Sequence, residues 1–389
     1  MYFSSLRTTS FRNLANAEIF TGAKDVFLIG ENGQGKTNFL EALYFCAYAS
    51  SFRTIRDIEI SCSFISDNAS FKNGEKDFST EVKLLYNKQL PQSDTFINQN
   101  EKILVKFEKG KKSIFINEKR AEDRKELLSI APTIVFCHED MEFVNGTPER
   151  RRWFFDQTLS LYDPVYLDDF RRYRHVLKSR NSVLKDISQG KYSGRPESIL
   201  DALDPQFAMY GLKLMEKRET AVREFSEIFC TLYEAVSGIS GITVQYTQSW
   251  KSQTESDIIS NLQQRRAADM AAGLSLSGPH RDRYIFAHNA YHQNSVDFTL
   301  KASTGQRRLL ALLLRAAQSS RFSAKTGHNP ILLLDDVLLE MDGEKRRRFL
   351  SVLPAYDQAF YTFLPDEPYQ RYQKDDTLVY TVKAGELFK

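Results

Sequence analysis

The sequence predicts an α/β fold, a head assembled from both ends of the chain with a helical arm domain inserted between the two parts. Three observations predict it. A glycine-rich loop, Gly30 to Thr37, lies between a strand pattern and a helical one. An apolar strand pattern, Ile331 to Leu334, ends in two aspartates about 300 residues beyond that loop. Between them stand two long helical patterns, each announced by Asp-Pro.

Each element follows from its local pattern. Val26 to Ile29 is an apolar run that stops at Gly30, as a buried strand does. After Thr37, Leu40, Leu43, Tyr44 and Ala47 recur at helical spacing. From about Phe78 to Ile116 the period returns to two. Val82, Leu84 and Tyr86 share one face, and Val105/Phe107 and Ile114/Ile116 flank a hairpin turn at Lys109–Lys112. Ile134 to Phe136 is a further buried strand. Asp163-Pro164 opens a helix striped by Leu167, Phe170, Tyr173 and Leu177. A turn-rich stretch from Ser188 to Glu197 interrupts. Asp204-Pro205 then repeats the start signal, and a stripe from Phe207 to Val236 ends at the C-cap Gly238. These two helices read as an antiparallel arm or, alternatively, as helices lying on the core. Ala311 to Arg321 is helical. The predicted divisions are residues 1–147 and 271–389 for the two halves of the head, and 148–270 for the arm.

Composition sets limits. The chain has 389 residues, 42% of them hydrophobic, which suits a folded protein with a sizeable core. Lys plus Arg number 53 against 50 Asp plus Glu, so any nucleic-acid-binding surface must be local. Cys46, Cys62, Cys137 and Cys230 form no CxxC pair, which argues against a zinc site or disulfide framework and for reduced thiols in the cytoplasm. The N-terminus MYFSSLRTTSFRNL has no apolar signal region, and no run approaches the ~20 residues of a membrane span.

Gly30-Glu31-Asn32-Gly33-Gln34-Gly35-Lys36-Thr37 fits G-x-x-x-x-G-K-[ST]. Glycines let backbone N–H groups approach phosphate oxygens, and the following helix offers its positive end. Lys36 then bridges the β- and γ-phosphates of a nucleotide, and the Thr37 hydroxyl ligates Mg²⁺. Of the two acids closing the apolar strand, Asp335 suits the metal and Asp336 suits the attacking water. Ser303-x-Gly305-Gln306 opens another helix with a hydroxyl and free backbone N–H groups. Since the P-loop already surrounds the phosphates on one side, this element suits a phosphate in trans, across a dimer; alone it also reads as a plain N-cap.

The order P-loop, Ser-x-Gly-Gln, acidic strand resembles the SMC-like ABC ATPases, and within them the RecF family. Further matches are Phe11-Arg12-Asn13, Gly30 to Glu41, Ser51-Phe52-Arg53-Thr54, Gly146-x-Pro148-x-x-Arg151-Arg152, Gly278 to Asp282, Leu333 to Val337 and Glu340-Met341-Asp342. The sequence departs from the family pattern at Arg283, Arg307, Met341 and Phe363, the last standing where a switch-strand Thr is usual; these bear on hydrolysis rate more than on nucleotide binding.

The resemblance implies an ATP-dependent homodimer with ATP and Mg²⁺ between two heads. Lys36, Thr37 and the partner copy's signature serine, Ser303 in this numbering, would grip one γ-phosphate, and Asp336 would position water. Arg12, Asn13, Gly305 and Gln306 would also contact nucleotide. The implied function is recombinational DNA repair and replication restart in the cytoplasm, within the SOS response to DNA damage. ATP-driven dimers would clamp duplex or gapped DNA, act with RecO and RecR to load RecA, and reset by slow, DNA-stimulated hydrolysis. Between Arg150 and Lys185, nine Lys/Arg against four Asp give a local net charge of +5. Arg151, Arg152, Arg171 and Arg172 are the candidate DNA contacts, although such a run also reads as a solvated helix face, and Arg53 elsewhere is a candidate for DNA or nucleotide contact. His280 and Arg281 read as structural, holding the signature region, or as contacts to nucleotide or DNA, since no Ser or Cys partner supports a hydrolase triad. A transporter ATPase subunit would place Ser-x-Gly-Gln much nearer the P-loop than the 267 residues between Lys36 and Ser303. A chromosome-structural SMC needs a far longer coiled coil.

Overall fold

The computed structural model describes residues 2–54, 57–60, 79–87, 100–108, 110–191, 196–288, 297–338 and 341–389. Phe78, Cys62, Lys109, Glu340 and residues 192–195 of the turn-rich stretch, which figure in the sequence expectations, lie outside them. The chain runs β1 (Tyr2–Thr9), β2 (Glu18–Phe20), β3 (Asp25–Ile29), α1 (Lys36–Tyr48), β4 (Ser79–Asn87), β5 (Asn100–Glu108), β6 (Lys111–Ile116), β7 (Lys119–Arg120), α2 (Lys125–Ile130) and β8 (Thr133–Phe136). Helices α3 (Met141–Asn145), α4 (Pro148–Tyr162), α5 (Pro164–Ser188) and α6 (Pro196–Ser237) follow. Then come β9 (Ile242–Thr247), α7 (Glu255–Gln264), α8 (Arg266–Ala272), β10 (Arg283–His288), α9 (Thr304–Thr326), β11 (Ile331–Leu334), α10 (Gly343–Val352), β12 (Gln358–Phe363), β13 (Thr377–Lys383) and β14 (Glu386–Phe388).

Contacts divide the chain into two units, Met1–Asp140 with Phe322–Lys389, and Met141–Arg321. The first holds two sheets. One is antiparallel, in the order β2-β1-β4-β5-β6-β7. The other has the order β14-β13-β3-β12-β11-β8 and is parallel except for the β14 edge. All five residues of β3 and all four of β11 are buried, as strands covered on both faces must be. Helix α1 contributes Phe39, Leu40, Leu43 and Phe45 to a core shared by both sheets. The predicted turn at Lys109–Lys112 is tighter than expected, because Lys111 already pairs with Glu108 and Gly110 takes the left-handed conformation at φ 72°.

The second unit is mainly helical. Asp163 caps α5 as expected, its side chain accepting from the Tyr166 N–H at 2.8 Å. Helices α5 and α6 run antiparallel: Tyr166 meets Arg218, Tyr173 stacks on Phe207, and Arg180 meets Asp204. The expected helix start at Asp204-Pro205 is corrected, since α6 begins at Pro196 and Pro205 lies inside it. Asp204 does not cap; its buried carboxylate accepts from Arg180 Nε at 2.9 Å and Arg266 Nη2 at 2.8 Å. Two charge-assisted bonds outweigh one capping bond. Residues 271–321 also fall in this unit, not with the C-terminal part of the head where the sequence divisions put them. Strand β10 pairs with β9, and Arg218 binds Asp156 through both carboxylate oxygens, Asp282 at 3.0 Å and the Pro279 carbonyl at 2.8 Å. His280 is held by hydrogen bonds within this unit. Its Nε2–H donates to the Ser275 carbonyl at 3.0 Å and its Nδ1 accepts from Tyr173 Oη at 2.8 Å.

Removing one partner of the Arg218 network strands a buried charge. Asp156→Ala should therefore destabilise the protein by about 3–5 kcal/mol in urea unfolding, against near zero for an exposed control such as Glu255→Ala. Burial, with the nearby cations Arg281, Arg152 and Arg180, lowers the His280 pKa from 6.5 to about 4. Below 6.5 the unfolded chain binds a proton that the native imidazole refuses until about 4. Stability should thus be full above pH 6.5 and fall as pH drops toward 4, and His280→Gln should flatten that slope in urea titrations at several pH values.

Candidate nucleotide-binding site

The site is built in the first unit, where parallel strands share one carboxyl edge. Strand β3 delivers the loop that starts at Gly30, β11 delivers Asp335 and Asp336, and β12 delivers Thr362 between them. The loop is shaped by Gly33 at φ 79° and Gly35 at φ 113°, conformations that suit glycine. A side chain at Gly30 would meet the Val382 carbonyl at 2.4 Å. Lys36 is buried, and its Nζ donates to the carbonyls of Gly30 and Glu31 at 2.6 and 3.1 Å, which closes the loop into a ring. Asn13 Nδ2 donates to the Gly33 carbonyl at 3.3 Å, and Asn38 Nδ2 donates to Asn13 Oδ1 at 2.7 Å. From the C-terminus, the turn between β13 and β14 braces the same loop: Ala384 N–H donates to Gln34 Oε1 at 2.7 Å and Gly385 N–H to the Gln34 carbonyl at 2.8 Å.

The acids face the loop. Thr37 Oγ1 donates to Asp335 Oδ1 at 2.9 Å across 298 residues of sequence. Burial, and then the charge of Asp336, push the Asp335 carboxyl up to about 7, against the opposing pull of the Thr37 hydrogen bond and Arg53. Asp336 takes the left-handed conformation at φ 51°, uncommon for a residue with a Cβ. Thr362 holds it there, with Oγ1 accepting from the Asp336 N–H at 2.7 Å and donating to its Oδ1 at 2.8 Å. Asn32, Gly33, Gly35, Lys36, Thr37, Asn38, Arg53 and Asp336 line an open cavity of about 200 Å³. The Thr37 hydroxyl and Asp335 carboxylate are hard oxygen donors, which fits Mg²⁺ held by one or two protein groups plus phosphate oxygens. Among the described residues no cluster of three His, Cys, Asp or Glu could hold a metal alone.

A family model described as RecF/RecN/SMC N terminal domain matches residues 2–382. The DNA replication and repair protein RecF of Treponema pallidum (strain Nichols) is 40% identical over 376 residues, covering 97% of this chain and 98% of that protein. The chain belongs to the RecF family. The RecF of Staphylococcus epidermidis is 29% identical over 398 residues, all of both chains. Among solved structures, the recombination mediator protein RecF-ATPrS in the RecFOR pathway superposes with a TM-score of 0.80 at 25% identity, covering 99% of this chain and 97% of that one. The Smc head domain from Pyrococcus furiosus gives 0.53 at 15% identity, covering 99% and 95%, and shares the fold alone. The architecture is thus the α/β SMC-like ATPase head with a helical arm.

The remaining predicted residues of this RecF-family chain fall out as follows. Arg12 is beside the loop, in bidentate contact with buried Glu41 at 2.7 and 3.0 Å. Ser303 and Gln306 form a capping box on α9: the Ser303 N–H donates to Gln306 Oε1 at 2.8 Å and the Gln306 N–H to Ser303 Oγ at 3.3 Å. Ser303 and Gly305 are exposed. Arg151 is corrected as a DNA contact. It is buried and donates to the Tyr284 and Val144 carbonyls at 3.1 and 2.8 Å and to Asp297. Arg152 is half-buried on the Asp282 carbonyl at 2.9 Å. Arg171 and Arg172 are exposed on α5, and Arg53 lines the nucleotide cavity.

Sequence reasoning missed Thr362, Glu41 and the C-terminal turn. Strand alternation was the available signal for Thr362: Phe363, the departure singled out, packs on Phe27 with ring centroids 4.9 Å apart, and its neighbour faces the acids. Nothing in the sequence signals the turn. A side chain at Gly385 would meet the Asn13 carbonyl at 1.9 Å, and its φ is 83°. Gly385→Ala should therefore weaken nucleotide binding at least about tenfold in equilibrium titrations, while a control at unhindered Gly343 binds normally.

Proposed function

We propose that this chain is an ATP-dependent DNA-binding protein of recombinational repair and replication, in which ATP closes a homodimer on DNA. The joining of Thr37 to Asp335, with Asp336 alongside, is the observation that carries this reading. Lys36 and the loop amides bind the β- and γ-phosphates, with Arg12 and Asn13 flanking the loop. Thr37 and Asp335 would hold Mg²⁺, which when bound neutralises phosphate charge and polarises the terminal phosphoryl group. Asp336 orients water. Its carboxylate is already engaged by Thr362, so it is a restrained base, in keeping with slow hydrolysis that serves as a reset.

Ser303, Gly305 and Gln306 complete the partner copy's site. An exposed helix start offers N–H groups and a hydroxyl to an anion, and the γ-phosphate supplies the contact that stabilises the dimer. Exposed Arg171, Arg172, Arg174, Lys178 and Lys185 on α5 form the face offered to DNA phosphates. RecO and RecR as partners, RecA loading at gaps and a cytoplasmic location are read from the RecF relationship; the RecFOR pathway named for the solved RecF supports RecO and RecR alone. Among the described residues no helix is long and apolar enough to cross a membrane.

Sedimentation with Mg²⁺ and nucleotide tests the reading. ATP should shift the wild type from monomer to dimer, and ADP should not. Lys36→Ala should stay monomeric, and Ser303→Ala should bind ATP without dimerising. Normal ATP-dependent dimers of Lys36→Ala would refute the proposal.

A further inference from the structure

Glu41 has no part in the reading above, yet it is a fully buried carboxylate on α1, one turn beyond Thr37. Such a charge is costly unless several donors satisfy it. Arg12 supplies two, Nη2 at 2.7 Å and Nε at 3.0 Å, and the Ser51 hydroxyl donates to Oε1. Arg53 Nη1 stands further off, 3.7 Å from Oε2.

The two arginines are held differently. Arg12 is fixed, because its N–H donates to the Ile60 carbonyl at 2.9 Å and its Nη1 to the Glu59 carbonyl at 2.6 Å. The Arg53 side chain is 36% exposed and lines the cavity that contains Asp336. Among the described residues its close acceptor is Asn38 Oδ1 at 2.9 Å. Its backbone, by contrast, is pinned: Ser51 Oγ accepts from the N–H groups of Arg53 and Thr54, both at 2.9 Å. The same hydroxyl donates to Glu41, so one buried carboxylate sets the turn that aims Arg53.

We propose that Glu41 is a positioning residue for phosphate recognition: through Ser51 and a loose ion pair it holds Arg53 at the acid end of the cavity, where the guanidinium distinguishes a triphosphate from a diphosphate. This rests on the reading of the cavity as the ATP site. A guanidinium docked at full hydrogen-bond contact would resist transfer to a new acceptor. One held at 3.7 Å keeps N–H groups for a terminal phosphate, whose oxygens match its fork. A diphosphate lacks the group that would reach it.

Affinities for Mg-ATP and Mg-ADP, measured by calorimetry on the full chain, test the idea in the wild type, Arg53→Ala, Glu41→Gln, Ser51→Ala and the Glu41→Gln/Arg53→Ala double variant. Each single substitution should cut the preference for ATP over ADP about tenfold while changing ADP affinity less than about twofold. The double variant should lose no more than Arg53→Ala alone, because Glu41 acts through Arg53. Equal weakening of ATP and ADP by Glu41→Gln, or additive losses in the double variant, would show a merely structural role and overturn the proposal. If Glu41→Gln does not fold, Ser51→Ala decides, since it breaks the relay without touching the Glu41–Arg12 pair; an unchanged ATP preference there overturns it. A wild type that binds neither nucleotide removes both this inference and the reading beneath it, whereas a wild type that prefers ATP with an additive cycle removes the role of Glu41 alone.

Discussion

The Gly30 N–H donates to the Phe363 carbonyl at 3.2 Å, and the Asp335 N–H donates to the Phe136 carbonyl at 2.9 Å. Each continues a parallel ladder one residue past the end of its strand. Because the strands from β8 through β13 in this sheet run the same way, the loops leaving their carboxyl ends emerge on one edge, and residues about 300 positions apart meet there. The order of the strands matters as much as their direction. Strand β12 lies between β3 and β11, so Thr362 stands between the phosphate loop and the acids. The outer strand β13 carries the turn that rests on Gln34. The chain's two ends are thus tied into one site by backbone bonds before any side chain takes part.

The helical unit solves a different problem. Its helices carry many cations, and some must face inward. Arg180 and Arg218 are among the largest fully buried side chains, each ion-paired with two aspartates from separate elements. Such pairs add little net stability compared with apolar packing, but they are intolerant of misregister, because a shift by one helical position would leave a charge unpaired. That is why the segment with Asp269, Ser275 and Asp282 belongs with α5 and α6.

What could be read from the sequence divides along the same line. Gly33, Gly35, Lys36 and Thr37 are legible because chemistry and backbone geometry demand those residue types at that spacing. Strands β3 and β11 are legible because burial on both faces leaves an unbroken apolar run. Charge is less legible. In the run from Arg150 to Lys185, Arg151 and Arg180 point inward and Arg171 and Arg172 outward, a difference of helical phase and of distant partners such as Asp297 and Asp269 that no local count reveals. Asp-Pro is likewise ambiguous. At Asp163 it caps a helix, whereas at Asp204 the competing attraction of two guanidiniums wins and the helix runs through.

The acid pair shows how the fold and its ligand chemistry are linked. Asp335 is half-buried beside Asp336, and desolvation together with that neighbouring charge disfavours its ionised form, pushing its carboxyl up to about 7. For such a raised carboxyl the native state holds a proton that the unfolded chain releases from about 4 upward, and the ionised pair burdens the fold as pH rises toward 7. Thr37 and Thr362 offset part of that burden with neutral hydroxyls and leave the rest in place. A cation bound beside Asp335 would offset the rest. The repulsion that burdens the fold as pH rises is thus the concentration of negative charge to which a cation would be drawn, and an isosteric amide at Asp335 would ease that strain and remove that attraction together.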